Sequence, residues 1–80
     1  MKDEYTIRNA VYDALMALPK NKDFYFSDFL VTVRENLKLH GNPARPFDGT
    51  IQRAMRRLRA SFDIKCVDAK KSIYKVVEEN

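Results

Sequence analysis

Residues 49–66 read GTIQRAMRRLRASFDIKC, and the apolar period changes part-way along them. Over the first part, Ile51, Ala54, Met55 and Leu58 fall at i, i+3, i+4 and i+7, a single stripe for burial at helical spacing. Gln52, Arg53 and Arg56 then point away from that stripe, and Arg57 lies on the flank of the outer face. After Ser61 the period drops to two. Phe62, Ile64 and Cys66 alternate with Asp63, Lys65 and Val67, and a second run, Ser72 to Val77, follows the polar link Asp68-Ala69-Lys70-Lys71. A helix followed by a hairpin is the expected result. The link lacks the Asn-Gly or Asp-Gly of the tightest turns, which predicts a four- or five-residue loop. Cys66 falls on the inward phase of its strand and is expected in the core as a small apolar residue.

The charges on the helical part are uneven. Arg53, Arg56, Arg57 and Arg59 have no acidic residue among them, whereas a helix face that serves solubility alone usually interleaves glutamate with lysine or arginine. Such neighbours repel unless an anion lies across them, and guanidinium groups bind phosphate bidentately or grip the O6 and N7 edge of guanine. Thr50 and Gln52 add hydrogen-bonding groups in the first turns. Gly49 costs a helix about 1 kcal/mol relative to alanine. It marks either a close approach to another backbone, such as a phosphate chain, or simply the start of the helix.

Upstream, Ile7, Ala10, Val11, Ala14, Leu15 and Leu18 form a stripe that predicts a helix from about Glu4 to Leu18, widened by Tyr12 and Met16. Asp3 or Thr6 would cap it and Pro19 would end it. Phe24, Tyr25 and Phe26 form a short aromatic run of high β-propensity, too short to stand alone but able to join the C-terminal hairpin. Ser27 reads as the N-cap of a second helix, from Asp28 to about Leu39, with Phe26 stapled against Val31. Leu30, Val33 and Leu37, with Phe29 beside Val33, would form its inner face. His40-Gly41-Asn42-Pro43 stops this helix, with Gly41 or Asn42 taking the left-handed conformation. His40 is expected to face solvent or cap the helix end. The third helix begins at Pro46 or after a capping Asp48.

Composition narrows the classes of function. The 80 residues are expected to form one domain, 1–80, with 45% apolar and 11% aromatic residues. No apolar run approaches the length of a membrane span, and the N-terminus lacks a signal peptide's apolar segment, so a cytoplasmic protein is expected. Cys66 has no partner cysteine and only His40 as a soft companion, so neither a disulfide nor a zinc site is expected. With one histidine there is no Ser-His-Asp set, and there is no glycine-rich phosphate loop; no enzyme and no cofactor are expected. Residues 1–42 balance six basic against six acidic groups, whereas residues 43–75 hold nine basic groups against Asp48, Asp63 and Asp68, a net of +6. A regional basic excess is the footprint of a polyanion partner.

The order helix, short aromatic strand, helix, helix, hairpin resembles the winged-helix group of helix-turn-helix domains. Phe26-Ser27 leads into helix two, GTIQRAMRRLR stands in the place of the recognition helix, Lys70-Lys71 lies at the tip of the wing, and Tyr74-Lys75-Val76 closes the final strand. The class is thus α+β: a three-helix core with a C-terminal β-hairpin wing and a short aromatic strand between helices one and two. The resemblance implies that the third helix enters a DNA major groove while the wing touches the neighbouring backbone or minor groove. It assigns base-edge contact to Thr50, Gln52, Arg53 and Arg56, and phosphate contact to Arg57, Arg45, Lys70 and Lys71, with the stem of Arg59 covering the core edge. DNA is the expected partner, in a transcriptional regulator or accessory DNA-binding protein, and RNA stays open. The alternative is a winged-helix protein-interaction module or homodimer that uses Tyr5, Tyr12 or Tyr25. The roughly six residues between helices two and three exceed the tightest helix-turn-helix connection.

Overall fold

The computed structural model describes residues 4–77, whose elements follow in the order α1 (Ile7–Ala17), β1 (Asp23–Tyr25), α2 (Phe26–Leu39), α3 (Asp48–Arg57), a 3₁₀ turn (Leu58–Ala60), β2 (Asp63–Asp68) and β3 (Ile73–Val77). The three strands form one antiparallel sheet in the order β1-β3-β2. The aromatic run therefore joins the C-terminal strand, as its brevity requires: Phe24 pairs with Tyr74 and Tyr25 with Ile73. Val11 and Leu15 of α1, Val33 and Leu37 of α2, Ile51 of α3 and Val76 of β3 are fully enclosed, so each helix and the central strand contribute to one core. Three helices followed by a hairpin, with a short strand added to its C-terminal arm, make a winged-helix-type architecture.

Local chemistry places the ends of the helices. Thr6 caps α1: its Oγ1 accepts the amide of Asn9 at 3.2 Å. The helix starts at Ile7, later than Glu4, and the alternative cap Asp3 lies outside the described residues. Tyr12 and Met16 do not widen the buried face. They are 41% and 57% exposed, because the Ala10, Val11, Ala14 and Leu15 stripe alone meets the other helices; the Tyr12 ring meets the edge of Phe62 instead.

The start of α2 differs from expectation. Ser27 is not its cap, since β1 runs straight into a helix that begins at Phe26, with Tyr25 as N-cap and no side-chain cap bond. The Phe26 amide finds its acceptor in the carbonyl of Ser72, the last residue of the loop that joins β2 to β3, 2.9 Å away. Its ring is buried against Phe29 and Tyr74, while Val31 is exposed, so the expected staple does not form. At the other end, the Gly41 amide donates to Lys38 and the Asn42 amide to Leu37, with Gly41 at φ +73. This is a Schellman closure, and it needs a residue that tolerates a positive φ. His40 caps the helix, with Nδ1 2.9 Å from the Asn36 carbonyl, and stacks on Tyr5.

In the wing, four residues, 69–72, join β2 to β3. The Asp68 carboxylate accepts the amides of Lys70 and Lys71 at 3.0 and 3.2 Å and holds the turn. Phe62 and Ile64 are buried as their phase requires, but Cys66 is exposed and is no core residue. Cys66 lines an open cleft beside Gln52 and Arg56 of α3, although Tyr74 opposite it packs against the core, and a register shift between Cys66 and Asp68 breaks the strict alternation.

Candidate nucleic-acid interface

The roll of α3 follows from three apolar positions. Ile51, Met55 and Leu58 are buried and Ala54 half-buried, which at 100° per residue turns Gly49, Arg53, Arg56 and Arg57 outward. All four are exposed. The helix tightens into the 3₁₀ turn at Leu58, which keeps Leu58 in the core and leaves Arg59 exposed. Asp48 does not cap α3: Phe47 is the N-cap, without a side-chain bond, and Pro46 precedes the helix. The Asp48 carboxylate instead takes the Arg34 guanidinium of α2 at 3.0 Å, and Arg34 also donates to the Pro46 carbonyl.

α3 is a ridge between two clefts. On one side, Thr50, Arg53, Ala54 and Arg57 face Ile7 and Arg8 of α1 across a cavity of about 220 Å³. On the other, Gln52, Arg56 and Arg59 face Ile64, Cys66, Ala69, Ser72 and Tyr74 of the wing across about 270 Å³. Gln52 does not belong to the open face. It is half-buried and donates through Nε2 to the Tyr74 hydroxyl at 3.2 Å, tying α3 to β3. That bond uses one of the two Nε2 hydrogens and fixes where the rest of the amide can reach.

Ion pairing leaves the arginine face open. The ion pairs among the described residues are Arg34–Asp48 and Lys75–Asp23, and neither touches Arg53, Arg56, Arg57 or Arg59. Mutual repulsion at i, i+4 spacing costs a few tenths of a kcal/mol per pair, small enough for the core to sustain. Gly49 sits on this open face. A Cβ placed there meets nothing within 4 Å and its φ is ordinary, so the fold itself does not demand glycine.

The remaining expected residues are more scattered. Lys70 and Lys71 are exposed at the wing tip, and their loop neighbours Ala69 and Ser72, rather than the ammonium groups, line the cleft beside Arg56. Arg45 lies in the connection between α2 and α3, where it shares a separate cavity with Arg34 and Lys38 and none with the α3 arginines. Sequence reading misses Arg8 and Tyr74 as neighbours of α3. Arg8 follows the first apolar residue of the α1 stripe, but only the packing of α1 beside α3 turns it toward Arg53 and Arg57.

Among the described residues, no group of three His, Cys, Asp or Glu side chains could hold a metal ion, and no helix is long and apolar enough to cross a membrane. No protein-family model matches the chain, and no curated protein or solved structure matches it either.

Proposed function

We propose that this chain is a nucleic-acid-binding module that lays α3 in the major groove of duplex DNA and sets its wing against the flanking backbone, as a transcriptional regulator or accessory DNA-binding protein. The observation that carries this reading is the arginine face of α3, exposed, free of carboxylate partners and flanked by two clefts. Arg53, at the centre of that face, reaches for base edges with Thr50 beside it. Arg56 and Arg57 take base edge or phosphate on either flank, Lys70 and Lys71 hold backbone phosphates, and Gln52 braces the helix against Tyr74.

Duplex binding measured over a range of salt concentrations tests this. Up to four phosphate contacts, from Arg56, Arg57, Lys70 and Lys71, give a slope of log K against log salt of roughly −3 to −4, reduced by about one for each cation removed. Replacing Arg53, Arg56 and Arg57 together is expected to abolish binding at moderate salt. A triple variant that binds as well as the parent, or binding that ignores salt, would overturn the reading. Exposed Tyr12 and Met16 on α1 favour a second reading, a homodimer or protein partner on that helix. Light scattering across a concentration series, with Tyr12→Glu as the disrupting variant, tests it.

A further inference from the structure

Phe47 is 83% exposed although it immediately precedes α3 and sits in a connection held at several points. Asn42 donates to the Tyr5 carbonyl at 2.7 Å and accepts the Ala44 amide at 2.9 Å. Pro46 is buried, and its carbonyl accepts from Arg34. Two prolines, Pro43 and Pro46, fix φ along the segment. The ring is therefore displayed by a restrained loop and not by a floppy one. It borders a cavity of about 640 Å³ whose other walls include Lys38, Arg45 and the apolar rings of Pro43 and Pro46. Arg34 is occupied in neutralising Asp48, and neither Lys38 nor Arg45 has an ion-pair partner among the described residues.

A flat apolar ring beside two free cations suits a flat, aromatic, anionic ligand. We propose that this cavity binds one unpaired nucleotide, its base stacked on Phe47 and its phosphate held by Lys38 and Arg45. Base–aromatic stacking tolerates any base because every base has a π-face, and the cations track the backbone. The loop runs directly into the N-terminus of α3, so a duplex on that helix that ends in a single-stranded tail can reach this cavity with the tail. The module would then prefer duplex with an unpaired flank. That preference rests on the duplex-binding reading, whereas occupation of the cavity by a nucleotide does not.

Phe47→Trp supplies the probe, since the chain has no other tryptophan. Its emission is followed while a blunt duplex, the same duplex with a short single-stranded tail, and the tail strand alone are titrated. Anisotropy of labelled duplexes gives the affinities of the parent and of Phe47→Ala. The tailed duplex is expected to bind roughly tenfold more tightly than the blunt one. The tail alone quenches the tryptophan, and Phe47→Ala removes the tail's advantage while changing blunt-duplex affinity less than about twofold. Quenching by the free strand without any binding of blunt duplex would sustain the loop site and remove the duplex reading. Blunt-duplex binding with no tail advantage and no quenching would do the reverse. An advantage that survives Phe47→Ala, or a response to inorganic phosphate equal to that of the strand, overturns the proposed stacking site, and silence toward every nucleic acid overturns both.

Discussion

Gly49→Ala separates what the fold requires from what a ligand would require. Gly49 is the second residue of α3, its φ is ordinary, and an added Cβ meets nothing within 4 Å. The substitution should therefore introduce no clash. It reduces the freedom of the unfolded chain and raises helix propensity, together worth about 0.5–1 kcal/mol. For a chain of this size that corresponds to roughly 3–6 °C in melting temperature, measurable by circular dichroism. The same methyl projects from the open face, one turn ahead of Arg53. If duplex DNA lies over that face, affinity should fall several-fold while the protein melts higher. An unchanged or lowered melting temperature refutes the open-space argument. A stabilised variant that binds DNA undiminished means that no backbone approaches α3 at Gly49, and the glycine then simply marks the start of the helix.

Other perturbations probe separate parts of the structure. Tyr74→Phe removes the hydroxyl that accepts from Gln52 and should cost about 0.5–1.5 kcal/mol in urea denaturation; an increase in stability would show that this bond does not brace the helix. Cys66, exposed on the wing, should react with an aromatic disulfide reagent under native conditions nearly as fast as in denaturant, and strong protection would return it to the core. Burial and the hydrogen bond to Asp13 push the Tyr5 phenol up to about 12. The folded state thus holds this proton more tightly than the unfolded chain, whose tyrosine titrates near 10. Its contribution to stability is intact below about pH 10 and lost as pH rises through about 12, so Tyr5→Phe should flatten alkaline unfolding in that window. Met55→Ala, at a site 2% exposed beneath the arginine face, should cost about 2–5 kcal/mol; a much smaller loss would argue against the roll assigned to α3.

The features legible in the sequence are those set by periodicity over several turns. The stripe of Ile51, Met55 and Leu58 fixes the roll of α3, and hence the exposure of Arg53, Arg56 and Arg57, before any neighbour is known. The Gly41 closure is legible because few residues tolerate a positive φ. What escapes depends on contacts distant in sequence. Gln52 lies on the polar side of the helical pattern, and only the placement of β3 turns it to the Tyr74 hydroxyl. Ser27 has the chemistry of a cap, but the Phe26 amide is already satisfied by Ser72, far along the chain, and burial of the Phe26 ring draws the helix start forward. Cys66 has the right phase in its strand, yet phase predicts burial only where another layer covers the sheet. At Cys66 the space between the sheet and α3 is an open cleft, and the thiol lines it.

One feature of the chain opposes folding and a second forgoes stabilisation, and they adjoin one another. The α3 arginines repel without a carboxylate among them, and Phe47 leaves most of a large apolar ring in water just ahead of the same helix. Burying such a ring is typically worth about 1.5–3 kcal/mol, a large amount for a domain whose whole stability is of order 5–15 kcal/mol. Neither feature is forced by its surroundings. α2 shows the alternative, since Asp28, Glu35 and Lys38 mix signs on its exposed surface, and the connection is pinned through Asn42 and Arg34 without help from the Phe47 ring. A polyanion across α3 would reverse the sign of the first cost, because each guanidinium then gains a partner. A base stacked on Phe47 would remove the second by covering the ring. One nucleic acid carrying both a duplex and an unpaired flank supplies both compensations.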